Sequence, residues 1–154
     1  MTPGTRRSGP TGGAGGAALK YRTIRQTVTL DASPREVYEA YVDPRKHSAF
    51  TGDRATGTPK VGGKFTASSG YIAGEYVELV RGKKIVHWWT TTEWPEGYPP
   101  SRMELRLEPK GEKTELTMLH TRVPAEQAAR YAEGWREYYW EPLKKYFAEK
   151  PPRP

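Results

Sequence analysis

The chain of 154 residues contains no cysteine, which leaves it neither disulfides nor thiolate chemistry. Histidine is scarce: His47, His87 and His120 lie far apart and match no metal-ligand spacing, so neither a metal site nor a cofactor is expected. No run approaches the roughly 18 apolar residues of a membrane span, and the N-terminus lacks the apolar core of a signal peptide. The expectation is a soluble, cytoplasmic protein. A phosphate-cradling loop is missing too, because Gly12, Gly13, Gly15 and Gly16 precede no helix start carrying Lys-Ser or Lys-Thr.

Positive charge is in excess, at +7, and its placement decides what it means. Residues 1–20 contribute +3 through Arg6, Arg7 and Lys20, and residues 144–154 another +3 through Lys144, Lys145, Lys150 and Arg153 against Glu149, leaving +1 for the body. A nearly neutral body with basic ends makes a poor phosphate-tracking surface, so no specific nucleic-acid binding is expected.

The length suggests one domain. Residues 1–19 are rich in Gly, Pro, Ser and Thr without periodicity, which reads as a disordered leader. The domain then runs over 20–150, with a proline-rich tail at 151–154. From Lys20 to Leu30, Ile24, Val28 and Leu30 alternate with polar neighbours, the pattern of a half-buried strand. Ser33, Pro34 and Glu36 form a helix start with a capping box, and Val37, Tyr41 and Tyr38 give the helix an inner face. Asp43 and Pro44 end it and cap a second short helix through Phe50.

Strand and turn patterns follow for about seventy residues. Ala55–Pro59 reads as a weak strand, Lys64–Ser68 carries Phe65, and Tyr71–Val80 precedes the β-branched and aromatic run Lys84–Glu93. The segment Trp94–Pro100 holds too many prolines to pair as a strand and is read as a hairpin tip or a lid. Arg102–Glu108 turns Met103, Leu105 and Leu107 inward, which sends Glu104 and Glu108 to water, and Thr114–Val123 turns Leu116, Met118 and His120 inward.

The last stretch, Pro124–Lys150, carries 7 of the chain's 18 aromatic residues in 27 positions. At roughly 100° per residue, Ala128, Ala132, Trp135, Tyr139, Leu143 and Tyr146 share a face, with Tyr131 and Tyr138 beside it. Pro142 predicts a kink. Trp88 and Trp140 fall off the core faces, and if both are exposed they predict a partner or homodimer surface. His47 reads as a surface residue. The order is α+β: two short helices after the first strand, then a curved antiparallel sheet, six to seven strands in all, closing around one long C-terminal helix that covers its edges.

The segments Ala32–Gly52, Gly62–Ala67, Gly82–Trp89, Thr114–Pro124 and Gly134–Phe147 resemble the START-like or SRPBCC superfamily with its helix-grip fold. Within it they are similar to the C-terminal domain of activators of heat-shock protein 90 ATPase. That resemblance implies an apolar cavity between the long helix and the sheet. Its lining positions are Phe65, Met103, Leu105, Met118 and His120 on the sheet and Tyr131, Trp135 and Tyr139 on the helix. The family favours an aromatic at the place of Trp89, which selects it over Trp88. His87 shares that inner face if Trp89 does, and could then polarise a ligand carbonyl; its plainer reading is a partly exposed strand histidine.

Three functions follow as expectations. The first is a non-enzymatic protein holding a hydrophobic small molecule in that cavity. The second is a chaperone-interaction module. The third is a cyclase-like or hydrolase-like enzyme using His120, whose plainer reading is a core histidine bonded to a carbonyl or a tyrosine hydroxyl.

Overall fold

The computed structural model describes residues 18–149. The expected leader over 1–19 and tail over 151–154 lie almost wholly outside them. Strand β1 (Tyr21–Leu30) leads into α1 (Pro34–Val42) and α2 (Pro44–Thr51). Both helices start as their caps dictate. Ser33 Oγ accepts from the Glu36 amide at 3.2 Å while the Ser33 amide donates to Glu36 Oε1 at 3.0 Å, and Asp43 Oδ1 accepts from the Arg45 amide at 2.9 Å. Each cap satisfies donors that the first helical turn leaves orphaned.

Six strands follow: β2 (Thr56–Gly57), β3 (Lys64–Ala67), β4 (Ile72–Val80), β5 (Lys84–Thr91), β6 (Ser101–Lys110) and β7 (Lys113–Pro124). With β1 they make one antiparallel sheet in the order β1-β7-β6-β5-β4-β3-β2. The sheet curves but stays open, with β1 and β2 as its edges, so the expected closure does not occur. Register shifts between Arg22 and Ile24 and between Tyr76 and Glu78 bend it, and Arg122 takes φ 60° opposite the first of these. An extra residue on one strand of a pair forces such a bend.

One inward row crosses the sheet as Tyr76, His87, Met103, His120 and Ile24. All five are buried. Gly74 sits beside that row because a Cβ there would come within 2.5 Å of the Phe65 ring. The concave face packs onto α1 and onto the C-terminal helix, which runs as α3 (Ala128–Trp135), a π turn over Arg136–Trp140, and α4 (Glu141–Ala148).

The π turn corrects the expected helix face. One extra residue per turn advances everything after it by about 100°. Trp140 is therefore buried and stacks on Trp135 with centroids 5.4 Å apart. Phe147 takes the inner place expected for Tyr146, which is partly buried, and Tyr138 is 61% exposed. The irregularity expected at Pro142 falls just before it, and Pro142 itself occupies the first turn of α4, where its missing donor costs little. Gln26 of β1 ties the turn down. Its Nε2 donates to the Ala132 carbonyl at 2.9 Å, and its Oε1 accepts from Trp140 Nε1 at 2.7 Å.

Glu104 is a second correction. It does lie on the convex face, yet it is only 6% exposed. Arg102 donates to it at 3.0 Å and Arg106 donates from the other side, so two guanidinium groups roof it over. Burial works to raise its pKa, but the bonds from Arg106 and Arg102 together outweigh that and hold it below the ordinary carboxylate value.

Candidate binding cleft

All three histidines are buried, which overturns the surface reading of His47 and the half-exposed reading of His87. Their partners fix their protons. A carbonyl can only accept, so Nδ1 of His47 donates to the Tyr41 carbonyl at 2.8 Å and Nδ1 of His87 to the Trp88 carbonyl at 2.9 Å. Their Nε2 atoms accept from the hydroxyls of Tyr139 at 2.8 Å and Tyr41 at 2.9 Å.

His120 has the opposite tautomer. The Trp135 indole can only donate, so Nδ1 accepts from it at 3.1 Å. Nε2 then donates to Ser101 Oγ at 2.8 Å, and the Ser101 hydroxyl donates in turn to the Trp89 carbonyl at 2.8 Å. The expected partner was a carbonyl or a tyrosine hydroxyl; the observed ones are an indole and a serine. Burial pulls both His87 and His120 down to about 3 and lowers His47 as well. All three are neutral core residues at physiological pH.

The cleft lies to one side of this network, where the helix passes over the turn between β3 and β4. Its volume is about 290 Å³, close to the lower end of the range of about 300–1,000 Å³ for ligand pockets. Trp89 and Ile72 form its floor on the sheet, Tyr131, Gly134, Trp135, Tyr138 and Tyr139 its helix side, and Tyr71, Ser68 and Asp53 its outer rim. Four of the ten candidate positions thus line it: Trp89, Tyr131, Trp135 and Tyr139. Phe65, His87, Met103, Leu105, Met118 and His120 do not; they fill the helix-sheet interface as packed core or as the hydrogen-bonded row. Two broader grooves, of about 390 and 650 Å³, have several charged residues in their walls.

The aromatic walls are held rigidly. Trp89 meets Tyr131 edge to face at 5.0 Å, and Trp94 stacks on the far side of Tyr131 at 6.0 Å. The Trp94 indole donates to the carbonyls of Tyr98 and Pro99, both at 3.1 Å, which pins the proline-rich loop behind the wall rather than over the mouth. Tyr131 donates to Gln127 at 2.6 Å and accepts from Thr91 at 2.8 Å. Burial first, then the neighbouring Tyr76 and Asp53, pushes the Tyr139 hydroxyl far up, so it stays protonated and bonded to His47.

Sequence reasoning missed Asp53, Ser68, Tyr71, Ile72, Gly134 and Tyr138. Ser68 and Ser69 are non-glycine residues with φ 51° and 56°, a strained conformation at about 1–3 kcal/mol each. No periodicity announces such a turn.

Relatives share the chain's pattern. A family model described as activator of Hsp90 ATPase homolog 1-like protein matches residues 31–148. The activator of 90 kDa heat shock protein ATPase homolog 1 of Homo sapiens is 35% identical over 131 residues, which is 84% of this chain and 38% of that protein. The corresponding Dictyostelium discoideum homolog is 27% identical over 128 residues, 82% of this chain and 33% of that protein. This chain therefore spans well under half the length of these curated relatives. A solved structure of an HSP90 activator from Plasmodium falciparum superposes with a TM-score of 0.76 at 25% identity, covering 82% of this chain and 96% of that one.

Proposed function

We propose that this chain, which belongs to the activator of Hsp90 ATPase homolog 1-like family, works by binding rather than by catalysis and takes an apolar group into the aromatic cleft. The observation that supports this is the cleft itself: ten lining residues, seven of them Ile, Trp or Tyr, beside three histidines whose ring nitrogens are all engaged elsewhere. A catalytic base must reach a proton in the pocket. None of the histidines lines this one, and each would have to break a buried hydrogen bond to do so. Native mass spectrometry of the purified protein against its denatured mass tests the reading. A retained apolar adduct supports it, and an adduct that persists after Gly134→Leu narrows the cleft counts against it.

Contact with a 90 kDa heat shock protein is the second reading. It is favoured by the curated relatives, which are named as activators of 90 kDa heat shock protein ATPase, and by Trp88, a large ring left 40% exposed on the convex face. Large exposed rings commonly anchor protein contacts. Co-sedimentation with the purified chaperone tests it: binding weakened by Trp88→Ala supports the reading, and no complex at micromolar concentrations removes it.

A further inference from the structure

We propose that the occupant of the cleft carries a small organic cation, an alkylammonium head seated among the rings with Asp53 at the mouth. This rests on the cleft being a binding site, as proposed above, and adds the chemical class it selects. Of the ten lining residues only Asp53 bears a formal charge, and no Lys, Arg or His lines the cavity. Asp53 forms no ion pair among the described residues, whereas Glu93, the next carboxylate along this side, is bonded to Arg130 at 3.1 Å and to the Tyr71 hydroxyl at 2.8 Å. The carboxylate at the cleft thus carries a charge that no described cation neutralises.

The rings supply the second half of the recognition. An aromatic face is the negative end of a quadrupole, and a cation within about 6 Å of it is attracted more strongly as water is excluded. Trp89 and Trp135 lie 5.7 Å apart and tilted by 34°, Trp135 and Tyr139 lie 4.8 Å apart at 60°, and all three line the cleft. An ammonium whose hydrogens are replaced by alkyl groups suits this setting. Its methyls match the apolar walls, its charge is weakly hydrated, and it needs no buried acceptor, of which the cleft offers few. An anion would meet the carboxylate and the ring faces and gain nothing.

The test is a titration of the full chain with choline and, in parallel, with its uncharged isostere in which carbon replaces nitrogen, following the Trp135 indole resonance by NMR. The expected result is saturable choline binding about tenfold tighter than the isostere, weakened about fivefold by Asp53→Asn, as for one exposed ion pair, and weakened further by Gly134→Leu. Equal binding of the two compounds overturns the cation assignment and leaves the apolar cleft standing. Failure of both to shift the resonance overturns the assignment and the cleft reading together. Choline binding unaffected by Asp53→Asn and by Gly134→Leu would place the cation elsewhere and also overturns the proposal.

Discussion

The Trp135 indole donates to Nδ1 of His120 at 3.1 Å, with both groups buried. This contact joins the C-terminal helix to the middle of the sheet through a hydrogen bond and fixes the histidine tautomer. Substituting His120→Phe leaves the Trp135 N–H without an acceptor and Ser101 without its donor, at about 1–3 kcal/mol for each orphaned group. The expected loss of stability in urea unfolding is about 2–6 kcal/mol. A loss below about 1 kcal/mol would mean that the indole finds another partner.

Stability should fall as the solution is acidified from neutrality. His87 and His120 have folded values of about 3 against 6.5 for the free side chain. Between those values the unfolded chain binds more protons, so stability is fully present above pH 6.5 and is lost towards pH 3. At pH 5 the two together cost about 4 kcal/mol, at 1.36 kcal/mol per unit and group, and His47 adds in the same direction. Urea midpoints at pH 7, 6 and 5 check this, and His87→Phe should flatten the dependence. A flat profile would contradict the neutral, buried assignment.

Gly74 is required by what it touches. Adding a Cβ there would bring it within 2.5 Å of Phe65 Cζ and against the Trp88 carbonyl. Gly74→Ala should destabilise the chain by about 1–3 kcal/mol, the usual range for overpacking, whereas Gly134→Ala meets only Tyr138 Cδ2 at 3.8 Å and should be neutral or stabilising by up to about 1 kcal/mol. Thermal unfolding distinguishes the two glycines directly.

The two tryptophans set apart by the sequence should behave differently. Trp140 is 3% exposed, stacked on Trp135 and bonded to Gln26; truncation to Ala should cost about 3–5 kcal/mol. Trp88→Ala should change stability by less than about 1 kcal/mol, because its ring is 40% exposed. If the chain self-associates, sedimentation velocity should show the Trp88 variant shifted towards monomer.

Strand alternation and helix caps made most of the fold legible, because both are local. Ser33, Asp43 and the inward rows through Met103 and Met118 follow from spacing alone. The helix face was legible at Trp135, Tyr139 and Leu143, which are buried as their spacing predicts, but a π turn has no periodic signature, so Trp140, Tyr146 and Tyr138 came out on the wrong sides. Glu104 and His47 were misplaced for a related reason. A charged or polar residue becomes buried when distant partners such as Arg106 or Tyr139 arrive, and alternation carries no record of them. Of the cleft, the resemblance supplied Trp89, Tyr131, Trp135 and Tyr139. Its rim comes from the turns at Asp53 and Ser68–Tyr71, which only the folded chain brings opposite the helix.

The cleft's occupancy by an apolar group is tested most directly with N-phenylnaphthylamine, an uncharged probe that brightens in apolar surroundings. Fluorescence titration of the wild-type chain should show saturable binding at one site, and Gly134→Leu should abolish it while thermal unfolding stays as high as in the wild type. A probe that binds both proteins equally, or neither, would contradict the account.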